Sequence, residues 1–194
     1  TATIKAKQSP KRVVFTEAEH YKILKAAQIV RDEGIAIPIL LGDKENIKKV
    51  IDEFHLDMHD VIIIDPRSTE EEERKRKYGD LFFEKRKRRG YTLFEARKQM
   101  NERNYFGAMM VELGEADAMI SGLTRKYPDT IRPALQVIGV DEGQKKVAGM
   151  YIMMTKKGPF FFADTTVNRN PSTEDLVEIT ELVTRVLKKF NIEA

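Results

Sequence analysis

Short apolar runs alternate with amphipathic helical segments along the first two thirds of the chain. The runs are residues 12–15, Ile35–Leu41, Val61–Ile64 and Ala116–Ile120. This order of strand and helix is typical of a parallel sheet that is covered by helices on both faces. We therefore expect an α/β protein with a three-layer α/β/α architecture and a mostly parallel sheet.

Local signals predict helix starts and surface charges. Two Thr–Glu pairs have the spacing of capping boxes, namely Thr16–Glu19 and Thr92–Glu95. Segment Glu70–Lys77 places four acids ahead of four bases at i,i+4 spacing, which predicts an exposed helix with surface ion pairs. The basic cluster Lys85–Arg89 has no acidic residues after it, so it is the better candidate for an anion site.

The alternation of strands and helices changes after about 140 residues. Two apolar runs, Val147–Met154 and Pro159–Ala163, are separated by a polar turn and predict an antiparallel hairpin. A long amphipathic helix follows Ser172. We expect residues 1–140 to form a first α/β lobe and residues 141–194 to form the start of an incomplete second lobe.

Composition excludes several classes of protein. The 194 residues contain no cysteine, which excludes a disulfide framework, a thiol nucleophile and a cysteine-ligated metal. The apolar runs are too short for a membrane span and the N-terminus lacks a signal peptide, so we expect a cytoplasmic protein without membrane contact.

The histidines do not cluster, and no metal site is expected. Net charge is +3 without a stacking platform, so no nucleic acid is expected.

The stretch from Tyr105 to Val140 holds the densest set of chemically useful side chains. It predicts a helix, a buried strand, a polar loop and a second helix. The candidate ligand-binding residues there are Ser121, Gly122, Thr124, Arg125, Lys126, Asp129, Thr130 and Arg132. Open α/β sheets bind ligands at the carboxyl ends of strands, and helix N-termini attract anions. This combination predicts a phosphate or anhydride ligand.

A purely structural interpretation of the same residues stays open. Asp129 and Thr130 are of the types that cap helices, Arg125 and Lys126 suit a solvated loop, and Arg132 can pair with a local acid.

Asp164 also has two interpretations. It follows the second strand of the predicted hairpin, where its carboxylate can reach a ligand. It can equally form an Asx turn that leads to the next helix.

Several segments resemble the phosphate acetyltransferase (phosphotransacetylase) family. They are KRVVFTEAEHYKILKAAQIVRDEGIAIPILLGD, RKRRGYTLFEARKQM, YFGAMMVELGEADAMISG, DTIRPALQVIG and FADTTVNRNPSTEDLVEI. The resemblance runs from about Lys11 to the C-terminus and covers somewhat more than half of that family's domain. Within the family, GLTRKYPDTIRPALQ and KKVAGMYIMMTKKGPFFFADTTVN are similar to the C-terminal domain of large bacterial NADP-dependent malic enzymes.

The resemblance implies a fold and particular site residues. The fold is the one that phosphotransacetylases share with isocitrate and isopropylmalate dehydrogenases. The family's arginines hold a phosphoryl group while the CoA thiolate attacks the acetyl carbonyl, and they fall on Arg132 and Arg86. These two would be catalytic only in an acetyltransferase. The family's serine falls on Ser121, whereas its His-Ser-Ser/Thr stretch is replaced by residues 124–128. Further catalytic residues of the family lie beyond this chain, so the fragment alone is expected to be inactive.

The resemblance also implies two functions. The first is a fragment of a hybrid NADP-dependent malic enzyme, which oxidatively decarboxylates malate to pyruvate and is regulated by acetyl-CoA or a related phosphorylated metabolite. The alternative is a phosphate acetyltransferase, which converts acetyl-CoA and phosphate into acetyl phosphate and CoA. The expected ligand is acetyl-CoA or CoA, and no cofactor is expected on this fragment. NADP and a divalent metal would belong to the absent malic enzyme unit. The chain does not begin with Met, so we expect a piece of a longer protein, and a homo-oligomer, a dimer or higher.

Overall fold

The computed structural model describes residues 2–141, 143–190 and 192. The chain separates into two compact units, Thr1–Gly139 and Val140–Ala194. The strands of the first unit are β1 (Lys11–Phe15), β2 (Ala36–Leu41), β3 (Ile62–Ile64) and β4 (Ala118–Ile120). Its helices are α1 (Ala2–Gln8), α2 (Tyr21–Asp32), α3 (Lys44–Glu53), α4 (Glu72–Arg86), α5 (Leu93–Gln99), α6 (Arg103–Glu112) and α7 (Tyr127–Val137).

The four strands of the first unit form one parallel sheet in the order β3-β2-β1-β4. The chain moves outward from β1 to β2 and β3, and then returns to add β4 on the other side of β1. This reversal separates the loops that follow β1 and β4, which is where open α/β sheets form ligand crevices. The register pairs Phe15 with Ile120, so both strands end at the same level. The predicted fold class is confirmed.

Alternating strand residues build a core on each face of the sheet. On one face, Val14 packs with side chains of α4, α5, α6 and α7, including Phe82 and Phe106. On the other face, Phe15 and Leu40 pack with side chains of α2 and α3. Phe82 and Phe106 are fully buried, and burial of a side chain this large contributes about 1.5–3 kcal/mol. Helices therefore cover both faces, as the order of elements predicts.

The first of the two predicted capping boxes is wrong. Helix α2 begins at Tyr21, and the His20 side chain accepts the capping hydrogen bond from the Lys22 N–H at 3.2 Å. Thr16 lies before the helix and does not cap it, because its N–H donates to the Ile120 carbonyl at 3.3 Å. Glu19 instead accepts from the Asp43 N–H at 2.9 Å. Tertiary contacts therefore displace a start that local spacing predicts.

The second capping box is confirmed. The Thr92 hydroxyl accepts from the Glu95 N–H at 3.2 Å, and the Glu95 carboxylate accepts from the Thr92 N–H at 2.9 Å. The segment after it divides into two helices, α5 and α6. The Glu102 carboxylate caps the second of them by accepting from the Asn104 and Tyr105 N–H groups at 2.9 and 3.3 Å.

The predicted i,i+4 ion pairs of α4 are wrong. Arg74 pairs with Glu71 at 3.2 Å and with Glu115 of another segment at 2.7 Å. Lys75 pairs with Glu72 at 2.6 Å. Glu70 and Glu71 lie in a 3₁₀ turn, and Glu72 and Glu73 lie in the first turn of α4, so i,i+3 partners are nearer.

Two of the bases in the cluster Lys85–Arg89 form ion pairs within the protein and are not free to bind an anion. Lys85 pairs with Glu112 and donates to the Val137 carbonyl at 3.0 Å. Lys87 pairs with Glu84 at 2.5 Å. Partners that lie earlier in the sequence, or on another helix, therefore occupy two of its bases.

The second unit contains a hairpin and a helix. Strands β5 (Met150–Thr155) and β6 (Gly158–Ala163) pair antiparallel, as predicted. Helix α8 (Thr173–Lys189) starts with a capping box between Ser172 and Asp175. None of the helices in the described part of the chain is long and apolar enough to cross a membrane.

Candidate functional site

The loop after β4 is anchored to the end of β1 by one carboxylate. Glu17 follows β1 and accepts hydrogen bonds from the N–H groups of Gly122, Leu123 and Thr124 at 2.6, 2.9 and 2.6 Å. The Thr124 hydroxyl also donates to Glu17. Gly122 has φ 120°, a backbone conformation that favours glycine and lets these N–H groups converge.

Glu17 is charged in spite of its burial, with only 4% of its surface exposed. Burial alone would raise the pKa of Glu17, but the hydrogen bonds from Thr124, Gly122 and Leu123 outweigh it and lower the pKa to about 2. A converging set of backbone N–H groups is the usual binding arrangement for phosphate. Here the protein's own carboxylate occupies it, so Gly122 and Thr124 do not present these donors to a ligand.

Asn104 links the loop to the start of α7. Its side chain is buried, accepts from the Ser121 hydroxyl at 3.0 Å, and donates to the Asp129 carbonyl at 3.1 Å. In a regular helix that carbonyl would accept the N–H of residue 133, but Pro133 has none. The Asn104 amide therefore replaces the hydrogen bond that the proline removes.

A cleft of about 410 Å³ lies beside this loop. It is lined by Tyr91, Gln99, Glu102, Tyr105, Arg125, Asp129, Arg132 and Pro133. Three of the candidate residues, Arg125, Asp129 and Arg132, thus meet in one place. The cleft has two cations and two carboxylates, so its charge is balanced until a ligand or proton enters.

The two arginines of the cleft differ in their partners. Arg125 pairs loosely with Glu102 at 3.7 Å. Arg132 is exposed in the second turn of α7 and, among the residues that the structure describes, forms no ion pair. The structural interpretation that Arg132 pairs with a local acid therefore finds no support in the described residues. Arg132 is the cation of this cleft that is available to an anion.

The wall of the cleft is stiffened by a hydrogen-bonded triad. The hydroxyls of Tyr91 and Tyr105 both donate to the Gln136 side-chain oxygen, at 3.1 and 2.6 Å. Phe82 packs edge-on against both rings. Burial raises the pKa of Tyr105, so its hydroxyl stays protonated and donates at neutral pH.

Two further candidates of the first unit lie close to the cleft without a contact that defines a role. Lys126 is exposed at the N-cap position of α7, and its side chain makes no capping bond. The Thr130 hydroxyl is buried and has no hydrogen-bond partner in the described part of the chain.

Arg86 and Asp164 are not among the residues that line the cleft. Arg86 is the last residue of α4, and its buried Nε has no hydrogen-bond partner within the described residues. Asp164 belongs to the second unit and accepts from the N–H groups of Gly149, Thr166, Val167 and Asn168 at 2.8, 3.1, 3.2 and 2.6 Å. Burial alone would raise the pKa of Asp164, but these bonds lower it to about 2. This is the Asx-turn arrangement.

A second cleft on the first unit is less suited to an anion. It has a volume of about 430 Å³ and lies between α4 and α5. Its cations are largely neutralised, because Lys75 pairs with Glu72 and Arg97 pairs with Asp80. The cleft beside the β4 loop is therefore the candidate site.

Sequence reasoning did not select three residues that support this site, nor five that line the cleft, namely Tyr91, Gln99, Glu102, Tyr105 and Pro133. Glu17, Asn104 and Gln136 organise the loop and the wall, yet none of them belongs to a recognisable local motif. For Glu17 a signal existed, because an acid directly after a buried strand lies at the carboxyl end of the sheet. For Asn104, the signal was an amide side chain directly before the apolar run Tyr105–Val111.

Comparison with known proteins gives a consistent result. The family described as phosphate acetyl/butaryl transferase matches residues 2–194. The phosphate acetyltransferase of Thermoanaerobacterium thermosaccharolyticum is 38% identical over 181 residues, 90% of this chain and 54% of that protein. The NADP-dependent malic enzyme of Escherichia coli is 33% identical over 189 residues, 97% of this chain and 25% of that protein. The chain thus spans about half the length of the phosphate acetyltransferase and about a quarter of the length of the malic enzyme.

A solved structure agrees with the sequence relatives. The EutD phosphotransacetylase from Staphylococcus aureus superposes with a TM-score of 0.87 at 28% sequence identity, covering 98% of this chain and 57% of that one. The resemblance noted from the sequence motifs is confirmed.

Proposed function

Because the chain belongs to the phosphate acetyl/butaryl transferase family, we propose that it binds acetyl-CoA, CoA or a related phosphorylated metabolite in the cleft beside the β4 loop. The observation that carries the proposal is Arg132, an exposed arginine without an ion pair among the described residues, near the positive end of α7. A planar guanidinium can hold a phosphoryl group with two parallel hydrogen bonds.

Arg125 supplies a second cation to the ligand. Its 3.7 Å pair with Glu102 is long and partly exposed, so it contributes little and a phosphoryl group with more charge can replace it. Glu102 keeps its other contacts when this happens, because it also caps α6. We assign a supporting electrostatic part to Lys126, which directly follows Arg125, and to Arg86 at the end of α4.

In the complete protein, we propose that this domain senses acetyl-CoA for an NADP-dependent malic enzyme. Two observations support this function. The Escherichia coli enzyme of that name matches nearly the whole chain, and residues 124–128 replace the polar stretch typical of the acetyltransferases. NADP and a divalent metal would bind elsewhere in such a protein.

Acetyl transfer between CoA and phosphate is the second candidate. It is favoured by the relatives named phosphate acetyltransferase, which are 33–38% identical to this chain. In that reaction Arg132, and Arg86 if it reaches the ligand, would bind the phosphoryl group and stabilise the charge that develops as the thiolate attacks the acetyl carbonyl.

The test of ligand binding is a charge reversal at Arg132. By calorimetry on the full-length gene product, Arg132→Glu should bind acetyl-CoA about ten- to a hundredfold more weakly, as expected for loss of a charge-assisted contact. The matched control is Arg76→Glu, the same change on an exposed residue of α4 outside this cleft. Unchanged affinity in Arg132→Glu would contradict the proposal.

Two assays of the same protein separate the candidate functions. A saturable effect of acetyl-CoA on malate-dependent NADPH formation supports the sensor, and its loss in Arg132→Glu with basal malate oxidation intact locates the sensor here. Phosphate-dependent release of CoA from acetyl-CoA supports the transferase. A protein with neither response would contradict both.

A further inference from the structure

Four donors of the β4 loop converge on one buried carboxylate. Three consecutive N–H groups and the Thr124 hydroxyl all donate to Glu17. Apart from the bond between Ser121 and Asn104, these are the hydrogen bonds that hold residues 121–124 among the described residues. Arg125 is the next residue along the chain, and Lys126 after it lies at the N-cap position of α7. The position of Arg125 therefore depends on the contact with Glu17.

A ligand anion cannot take over these donors at low cost. Removing Glu17 from them would leave a carboxylate that is 4% exposed without its hydrogen bonds, and a buried charge that loses its partners is strongly destabilising. The phosphoryl group of a ligand must then be bound by side chains of the cleft and not by the loop backbone.

We infer that Glu17 is a positioning residue of the ligand site: it fixes residues 122–124 so that Arg125 is presented to the phosphoryl group of CoA or acetyl-CoA. This inference rests on the proposed function and specifies which groups of the site meet the ligand. Glu17 itself does not contact the ligand.

The test uses a variant of nearly the same shape. In Glu17→Gln one side-chain oxygen becomes an amide group, which faces N–H donors and cannot accept from them. CoA should bind to the full-length Glu17→Gln protein about tenfold more weakly by calorimetry, equivalent to about 1.4 kcal/mol. The control is Asp117→Asn, which weakens the ion pair with Arg12. Arg12 lies at the start of β1, whereas Glu17 follows the end of β1, so the Asp117→Asn variant should bind CoA as the wild type does.

A double-mutant cycle separates positioning from general destabilisation. If Glu17 acts through Arg125, then Glu17→Gln should have almost no further effect on CoA affinity in an Arg125→Ala background. A role in folding alone would give the same fold-change in both backgrounds and would overturn the inference. Far-UV circular dichroism at the titration temperature establishes that each variant is folded.

A milder variant covers the case in which Glu17→Gln does not fold. Thr124→Val removes only the hydroxyl donor to Glu17 and should weaken CoA binding about threefold, again only when Arg125 is present. Equal effects with and without Arg125 would overturn the inference. If the wild type and Asp117→Asn both fail to bind CoA, the proposed function fails and this inference with it. If both bind and Glu17→Gln binds equally well, only the inference fails.

Discussion

Two polar loops of this chain are each organised by one ionised carboxylate, but the carboxylates come from different distances along the sequence. Glu17 holds the loop after β4 from 105 to 107 residues away. Asp164 is the first residue of the loop after β6, and three of its N–H donors follow it within four residues. Its most distant donor, Gly149, is 15 residues away. The local loop can close as a turn forms, whereas the distant one requires the assembled sheet.

The largest effect should come from deleting the distant carboxylate. Glu17→Ala leaves the N–H groups of residues 122–124 without their acceptor and empties a buried position, and we expect the free energy of unfolding of the first unit to fall by about 2–3 kcal/mol. Asp164→Ala should lower that of the second unit by about 1–2 kcal/mol, because water can reach the partly exposed turn. Urea unfolding, monitored by hydrogen exchange in each unit, measures both.

The control for this pair is Asp117→Ala, which removes an exposed carboxylate of the first unit and should cost less than about 1 kcal/mol. Equal costs for Glu17→Ala and Asp164→Ala would show that chain separation does not distinguish the two loops.

The pH dependence of stability should sharpen the comparison. The pKa of Glu17 falls from an ordinary 4.5 to about 2 on folding, so its contribution is complete above pH 4.5 and is lost as pH falls towards 2. A shift of this size corresponds to about 3 kcal/mol. The pKa of Asp164 falls from 3.8 to about 2, so the same sign applies, but solvent screening makes its contribution smaller.

The measurement is the unfolding free energy of the first unit between pH 5 and pH 2. In Glu17→Gln its slope against pH should be shallower than in the wild type, since this group no longer takes up a proton on unfolding. Parallel curves would mean that other carboxylates account for the slope.

The smallest effect should be a coupling energy between Asn104, which also holds this loop, and Pro133. Asn104→Ala leaves the Ser121 hydroxyl and the Asp129 carbonyl without their partner and should cost about 2 kcal/mol. In a Pro133→Ala background the backbone N–H at position 133 can reach that carbonyl, so the cost should fall by about 1 kcal/mol.

Chemical denaturation of the two single variants and the double variant gives this coupling energy. Pro128→Ala is the matched control, because Pro128 lies in the first turn, where an N–H has no acceptor within the helix. Coupling of the same size with Pro128→Ala would rule out the Asp129 carbonyl as the shared partner.

Much of the fold could be predicted because its signals are local or periodic. The apolar runs predicted β1–β4, the Thr92–Glu95 spacing predicted the start of α5, and the turn residues predicted the hairpin. The Thr16–Glu19 start was wrong because Thr16 bonds to β4, which follows about a hundred residues later. The prediction of i,i+4 ion pairs in α4 was wrong because other acids lie nearer to the bases. Arg74, for example, pairs with Glu71 and with Glu115 of another segment.

The candidate site was predictable in place but not in its internal contacts. The loop after β4 and Arg132 follow from the rule that α/β sheets bind ligands at strand ends. Which donors of that loop remain available does not follow, because it depends on a carboxylate that adjoins the loop only when β1 pairs with β4.

The sequence by itself determined the strand and helix pattern, the parallel sheet and the family motifs, since these depend on hydrophobic periodicity and near-neighbour signals. Only the tertiary structure decided that Glu17 fills the N–H groups of the β4 loop, that Asn104 replaces the hydrogen bond lost at Pro133, and that Arg125 and Arg132 share a cleft. The reason is physical: such contacts join residues that are brought within hydrogen-bond distance by sheet pairing and helix packing, and no local pattern in the chain encodes them.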